Sequence, residues 1–290
     1  MTEGTLFVVA TPIGNLDDLS PRAREVLSAV DTIAAEDTRV TGRLLSHFGI
    51  NGRQTALHEH NESRQVPRLI RSLLEGRSVA LVSDAGTPLV SDPGYRLVRA
   101  AREAGICVSP VPGASAALAA LSVCGLSTDR FVFEGFLPTR KTARKERLRA
   151  LADETRTVVF FESVHRVGAT LQELARSFGG KRRAFLGREL TKLHEQCVSA
   201  DLDALAAMTD DGRIPLKGEF VVVTEGAAEV PQADSQIDID RLLTELTAVL
   251  PARQAAGIVA AATGQGRNEL YSRLLGLKAA MSGDKSGDNS

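Results

Sequence analysis

The chain has 290 residues, 43 % of them hydrophobic, which is enough for two domains with apolar cores. Its formal net charge of −1 excludes a globally basic nucleic-acid binder, so any affinity for RNA must come from a local patch. Three cysteines, far apart and in no C-x-x-C pair, argue against a disulfide framework and a structural zinc and suit a reducing compartment.

Strand-like and helix-like segments alternate from the start. TLFVVAT (5–11) is a continuous apolar run, as expected of a parallel strand covered on both faces. No basic segment precedes it, so no signal peptide is expected, and no apolar stretch approaches the roughly 18 residues of a membrane span. A cytoplasmic location follows as an expectation. Ser20-Pro21 reads as N-cap and first residue of a helix. DTIAAED (31–37) is a short strand, TGRLLSHFG a helix closed by Gly49, QTALH a strand, and ESRQVPRLIRSLLEG a charged helix ending at Gly76. The strand VALVSD, the helix PGYRLVRAAREAG, the strand CVSPVPG and the small-residue helix ASAALAALSVCG follow. This alternation specifies an open α/β sheet with ligands beyond the carboxyl ends of its strands.

A second unit opens near Thr128, with strands FVFEGF, TVVFFES, RAFLGREL and EFVVVTEG and helices near 141–152 and 164–178. A linker is predicted over 226–236, then a small helical piece. The expected partition is 1–126 and 127–228 for two α/β domains, 229–281 for a C-terminal helical region and 282–290 for a disordered tail.

The turn after the first strand, TPIGNL, has one glycine where a dinucleotide fingerprint has three, and Pro12 removes an N–H donor. Nucleotide phosphate binding is therefore disfavoured. A cofactor without phosphate, S-adenosylmethionine, suits the turns better, since its cationic groups favour acceptors and its adenine needs apolar walls. SDAGTP (83–88) offers Asp84, Gly86 and the Thr87 hydroxyl. VPGASAAL (111–118) offers small residues that let a ligand approach the backbone. The following SDPG (91–94) reads as a helix cap, with Ser91 or Asp92 capping a helix begun by Pro93. His58-x-His60 would place two imidazoles on one strand face, but with no third ligand at useful spacing no metal is expected.

TPIGNL, AAEDTR, LHEHNE, LVSDAGTPLVSDPGY, VPGASA, FEGFLP, FFESVHR, GRELTK and LKGEF occur in that order. Together they resemble the ribosomal RNA small subunit methyltransferase I family, a branch of the tetrapyrrole-methylase-like S-adenosylmethionine enzymes. The resemblance implies two α/β domains of the tetrapyrrole methylase type with the cofactor in the cleft between them, and a homodimer. It implies transfer of a methyl group to the ribose 2′-oxygen of a decoding-region cytidine in 16S ribosomal RNA of the small ribosomal subunit. Carried over position by position, the cofactor wall would be Pro12, Ile13, Asp84, Gly86, Thr87, Ser115 and Ala116, with Phe161 and Lys217 from the second domain.

A ribose hydroxyl attacks well only when its proton is accepted, and polar residues at strand ends are the candidates. Glu36, His58, His60, Glu162, His165 and Arg188 compete with ordinary surface or capping roles. Asp37, Arg39, Glu189 and Lys192 belong to the two signatures that corrin methylases do not share, so they are the catalytic expectation, with Lys192 requiring a depressed pKa to act as base. TRKTARKERLR (139–149) sets six basic residues against Glu146, and Arg140, Lys141, Arg144, Lys145 and Arg147 are the expected RNA contacts. Two rivals stand beside the methylation of RNA. A tetrapyrrole methylase would need Arg or Lys inside the cleft, and a silent RNA-binding module would have no use for intact cofactor turns. The C-terminal piece either grips RNA through Arg267 and Arg273 or packs on the dimer.

Overall fold

The computed structural model describes residues 4–228 and 238–283. Its first half contains β1 (Thr5–Val9), α1 (Pro21–Ala29), β2 (Thr32–Ala35), α2 (Thr38–His47), β3 (Gln54–Ala56), α3 (Glu62–Leu74), β4 (Val79–Val82), α4 (Tyr95–Glu103), β5 (Cys107–Val111) and α5 (Ala116–Val123). The strands form one sheet in the order β3-β2-β4-β1-β5, and every pairing is parallel. That order puts β4 and β1 in the middle, where VALV is wholly buried and helices pack on both faces. The carboxyl ends of β1, β4 and β5 therefore open side by side.

Local chemistry sets the helix starts. Ser20 Oγ accepts the Ala23 N–H at 3.1 Å with Pro21 as the first helical residue of α1. Asp37 caps α2 by accepting the Arg39 N–H at 2.8 Å. Helix α4 departs from expectation. It begins at Tyr95, its cap position is Gly94 with φ +119°, and no side chain caps it. The buried Glu62 of α3 instead accepts the Gly94 N–H at 3.0 Å. A Cβ at Gly94 would stand 2.6 Å from Leu81 Cδ2, so only glycine fits this entry. Ser91 and Asp92 are thus freed from the capping role assigned to them from sequence.

The second half contains β6 (Phe131–Phe136), α6 (Lys141–Leu151), β7 (Thr157–Glu162), α7 (Val167–Phe178), β8 (Arg183–Arg188), β9 (Gln196–Asp201), α8 (Leu202–Asp210) and β10 (Phe220–Thr224). Its sheet runs β6-β7-β10-β8-β9, parallel between β6 and β7 and antiparallel elsewhere. Strand β9 and helix α8 were not anticipated. QCVSAD lies at the sheet edge with no fully buried residue, so it lacks the apolar run that marks the inner strands.

Helix α5 is a first-half element whose inner face belongs to the second sheet. Its Ala117, Ala120 and Leu121 pack with Val159, Phe185, Val221 and Val223. Alanines bring the helix axis close to the strands, and residues 1–228 cluster as one compact unit. The remaining unit consists of α9 (Ile239–Thr247), α10 (Ala252–Thr263) and α11 (Arg267–Gly283) around Leu243, Ala256, Val259, Leu270 and Leu274. Helix α11 reaches into the predicted tail 282–290. The rest of that tail and most of the predicted linker lie outside the described residues. Among the described residues no helix is long and apolar enough to cross a membrane.

Candidate active site

Two cavities adjoin where the strand ends of the first sheet meet the second. The first, of about 450 Å³, is walled by Ile13 after β1, Gly86 and Thr87 after β4, Ser115 and Ala116 at the start of α5, and Phe161 of β7. These are six of the nine positions expected to hold the cofactor. Hydrogen bonds tie the turns to one another. Thr11 and Gly86 exchange N–H···O bonds of 2.9 and 3.0 Å, and Thr87 Oγ1 donates to the Ala114 carbonyl at 3.1 Å. Gly86 sits at φ +80°, and a Cβ there would press Ile13 Cγ2 at 3.3 Å.

The other three positions lie outside the first cavity. Pro12 and Asp84 line the second cavity and not the first. Lys217 lines neither: its carbonyl accepts from Arg188 Nε at 2.7 Å, and it is the neighbouring Gly218 that reaches the first cavity. In their place Val90, Ser91 and Asp92 line the first cavity, along with Phe136, Leu190 and Glu219. The backbone around them is strained, with Leu89 at φ +73° and Ser91 at +67°, as often happens where a loop is shaped for a ligand. Partial burial pushes the Asp92 carboxyl up to about 6; the Ser83 hydroxyl opposes this and the charges of Glu36 and Asp84 add to it. Asp92 was in plain view in the sequence, but a Ser-Asp-Pro-Gly turn ahead of a helix ordinarily means a cap.

The second cavity, of about 320 Å³, shares Ile13, Ala85 and Glu219 with the first and adds Pro12, Thr41, Asp84 and Lys192. Asp84 hangs at its wall, accepting the Asp37 N–H at 3.0 Å, while its own N–H donates to Glu36 at 3.2 Å. Partial burial raises the Asp84 carboxyl, and the Asp37 charge adds to this, against the Asp37 N–H bond and the Arg39 charge. Burial raises Glu36 as well.

The expected catalytic group divides. Asp37 and Arg39 line neither cavity. Asp37 is a helix cap gripped by Arg39 at 2.6–3.2 Å, and these bonds hold its carboxyl at about 2, too acidic to take a proton near neutrality. Lys192 does line the second cavity, but its ammonium contacts Glu189 at 2.7 Å and Glu219 at 2.8 Å. Burial works to lower its pKa, yet those two carboxylates outweigh it and the net direction is upward. The depressed pKa that a base role for Lys192 required is absent, and the two carboxylates make it a fixed cation. Glu189 stays ionised for the same reason: burial is outweighed by Lys192 and the Glu219 N–H.

Other sequence candidates serve the framework. Glu162 lines the first cavity, but it is buried and bonded to Thr170 at 2.6 Å, the Ser163 N–H at 2.8 Å and Arg166 at 3.2 Å. His58 and His60 lie in the turn after β3, not on a strand, with rings 5.9 Å apart. In the basic run Arg144 forms a two-pronged bond to Glu173 at 2.5 and 2.9 Å, and Arg147 does the same to Glu134 at 2.7 and 2.6 Å. Both guanidinium forks are occupied by carboxylates within the chain. Arg140, Lys141 and Lys145 are exposed and make no ion pair among the described residues. Arg273 in the C-terminal unit is likewise bound to Asp240, at 2.6 and 2.9 Å.

The first cavity fits S-adenosylmethionine in kind. Gly86 leaves room that a side chain would fill, Ile13, Phe161 and Val221 present apolar surface suited to adenine, and Asp92 offers an acceptor for a cationic group. A parallel first sheet, a mixed second sheet and a cleft at the strand ends define the tetrapyrrole methylase class. Residues 5–206 match the family profile of tetrapyrrole (corrin/porphyrin) methylases, and residues 233–278 match that of the RsmI C-terminal HTH domain. Among solved structures the methyltransferase CobJ aligns with a TM-score of 0.58 at 22 % identity, over 78 % of this chain and 95 % of that one. Uroporphyrin-III C-methyl transferase from Thermus thermophilus, complexed with S-adenyl homocysteine, aligns with a TM-score of 0.53 at 20 % identity over 76 % and 97 %.

Within this class the chain belongs to the ribosomal RNA small subunit methyltransferase I family. It is 52 % identical to the protein of that name from Xylella fastidiosa (strain Temecula1) over 93 % of this chain and 98 % of the relative. The Escherichia coli O157:H7 protein of the same name is 48 % identical over 94 % and 96 %. The chain is a methyltransferase of the S-adenosylmethionine-dependent type.

Proposed function

We propose that the chain methylates the ribose 2′-oxygen of a decoding-region cytidine, the 1402 site, in 16S ribosomal RNA. In this reading it acts in the cytoplasm on the small ribosomal subunit, as a homodimer of chains each built from α/β halves 1–126 and 127–228. The observation that carries the reading is the sign of charge in the cleft. Asp84, Asp92, Glu162 and Glu219 line the cavities, and the cations there are Lys192, already paired, and Arg43. A polycarboxylate tetrapyrrole would meet repulsion, whereas a cationic cofactor meets none. RNA satisfies the same condition if its phosphates stay outside, near Arg140, Lys141 and Lys145, and only a nucleoside enters. The shared name of the relatives supports the RNA substrate. The dimer reading is supported by Leu118 and Val123, apolar residues of α5 exposed at 58 % and 55 %.

When bound, S-adenosylmethionine supplies a methyl group that the ribose oxygen takes as its proton departs, the sulfur keeping the bonding pair. Asp84 receives that proton, since it lines the second cavity next to Ala85, which borders both, and partial burial raises its carboxyl. Ile13, Phe161 and Leu190 keep water from the first cavity, and the Lys192 ammonium supplies a fixed positive charge at the second. Small subunits lacking the modification should accept labelled methyl groups, and one phosphodiester should then resist alkaline cleavage. Label recovered in a base, in protein or in a porphyrinoid refutes the reading.

Asp92 has its own test. Asp92→Asn should weaken S-adenosylmethionine by roughly tenfold at pH 8 while changing S-adenosylhomocysteine, whose sulfur is neutral, far less. Because the wild-type carboxyl titrates at about 6, it is charged at pH 8 and mostly protonated at pH 5. Wild type and variant should therefore converge on acidification. Calorimetry at both pH values measures this, and equal losses for the two ligands would remove Asp92 from charge recognition.

A further inference from the structure

We infer that the second cavity receives the base of a target nucleotide turned out of its RNA stack; this rests on the methylation of ribose proposed above. The two cavities meet at Ile13, Ala85 and Glu219, so a nucleoside in one lies against a ligand in the other. At about 320 Å³ the second has the size of a small-ligand site and no room for a duplex. Its walls have two characters. Pro12, Leu16, Val40 and Leu44 offer aliphatic surface to the faces of a flat ring. Thr41, 2 % exposed, also lines this wall, and its hydroxyl has no hydrogen-bond partner among the described residues. A buried hydroxyl left without a partner is costly, and the edge of a base supplies one.

No aromatic residue lines this cavity, so the base is held by aliphatic contact and by its edge, not by stacking. Asp84 shares the wall with Thr41, which brings the ribose of a seated nucleotide to the proton acceptor. A base still stacked in a helix keeps its ribose at the RNA surface, outside such a recess. Turning the nucleotide out of the stack lets its base enter the recess and carries the attached ribose to the cavity wall.

The test uses full-length protein and small subunits reconstituted with a fluorescent cytidine analogue at the target position. Binding of wild type should raise the analogue's emission, as unstacking does. Val40→Trp, at a half-exposed position on α2, should fill the cavity, abolish both that rise and single-turnover transfer, and leave S-adenosylmethionine affinity unchanged. Thr41→Val, nearly isosteric and therefore safe for folding, should slow transfer roughly tenfold with the same cofactor affinity. Wild-type transfer with no emission change, or Val40→Trp transferring at the wild-type rate, overturns the inference and leaves the ribose-methylation reading intact. Absence of RNA label from wild type itself removes both.

Discussion

Asp84→Asn should retain S-adenosylmethionine and RNA but slow single-turnover methyl transfer by roughly 10²- to 10⁴-fold, the range supplied by a positioned general base. Asparagine keeps the shape and still accepts the Asp37 N–H, so the loop geometry survives and only the proton acceptor is lost. The pH dependence carries a sign. A carboxyl can accept the ribose proton only when ionised, so wild-type transfer should rise with pH through a pKa above the ordinary aspartate value and then level off. The variant should lose that rising limb. Asp37→Asn, by contrast, should leave the limb in place, because Asp37 is ionised throughout and lines neither cavity. A wild-type rate for Asp84→Asn would move the role to Glu36 or Asp92.

Arg144→Ala should destabilise the folded protein by about 3–5 kcal/mol, the cost of removing one partner from a buried ion pair. The side chains of Arg144 and Glu173 are only 13 % and 9 % exposed, so truncation leaves the Glu173 carboxylate with little water to replace the guanidinium. Denaturant melts measure the loss. Arg144→Met with Glu173→Leu should recover much of it, since two apolar side chains leave no charge behind. Below its melting range, Arg144→Ala should leave the salt dependence of RNA binding unchanged. Alanine at Arg140, Lys141 and Lys145 should flatten the log–log slope by about 0.7–0.9 per lost phosphate contact. An unchanged slope in the triple variant would make the whole run a solvated helix face.

Much of the fold could be read directly from local chemistry. Continuous apolar runs such as VALV specify inner parallel strands, and Ser20-Pro21 specifies a helix start, because each depends on neighbours within a few residues. The ordered series of motifs carried the family, and Ile13 with the turns at 86–87 and 115–116 lines the first cavity. The edge strand β9 escaped because a half-exposed strand has no apolar signature.

The roles of charged side chains were a different matter, since a charge is defined by what stands opposite it. Arg144 is a structural ion because Glu173 of α7 faces it, 29 residues away in sequence. Lys192 is a fixed cation because Glu219, 27 residues on, closes over it. Asp92 is a cavity wall because Glu62, far upstream, takes the Gly94 N–H that a cap would otherwise have served. Sequence alone therefore determined the inner strands, the helix start at Ser20-Pro21 and the family. Tertiary structure alone decided which carboxylates are free to hold a ligand or take a proton, because protonation and pairing depend on partners that only the folded chain brings within hydrogen-bond distance.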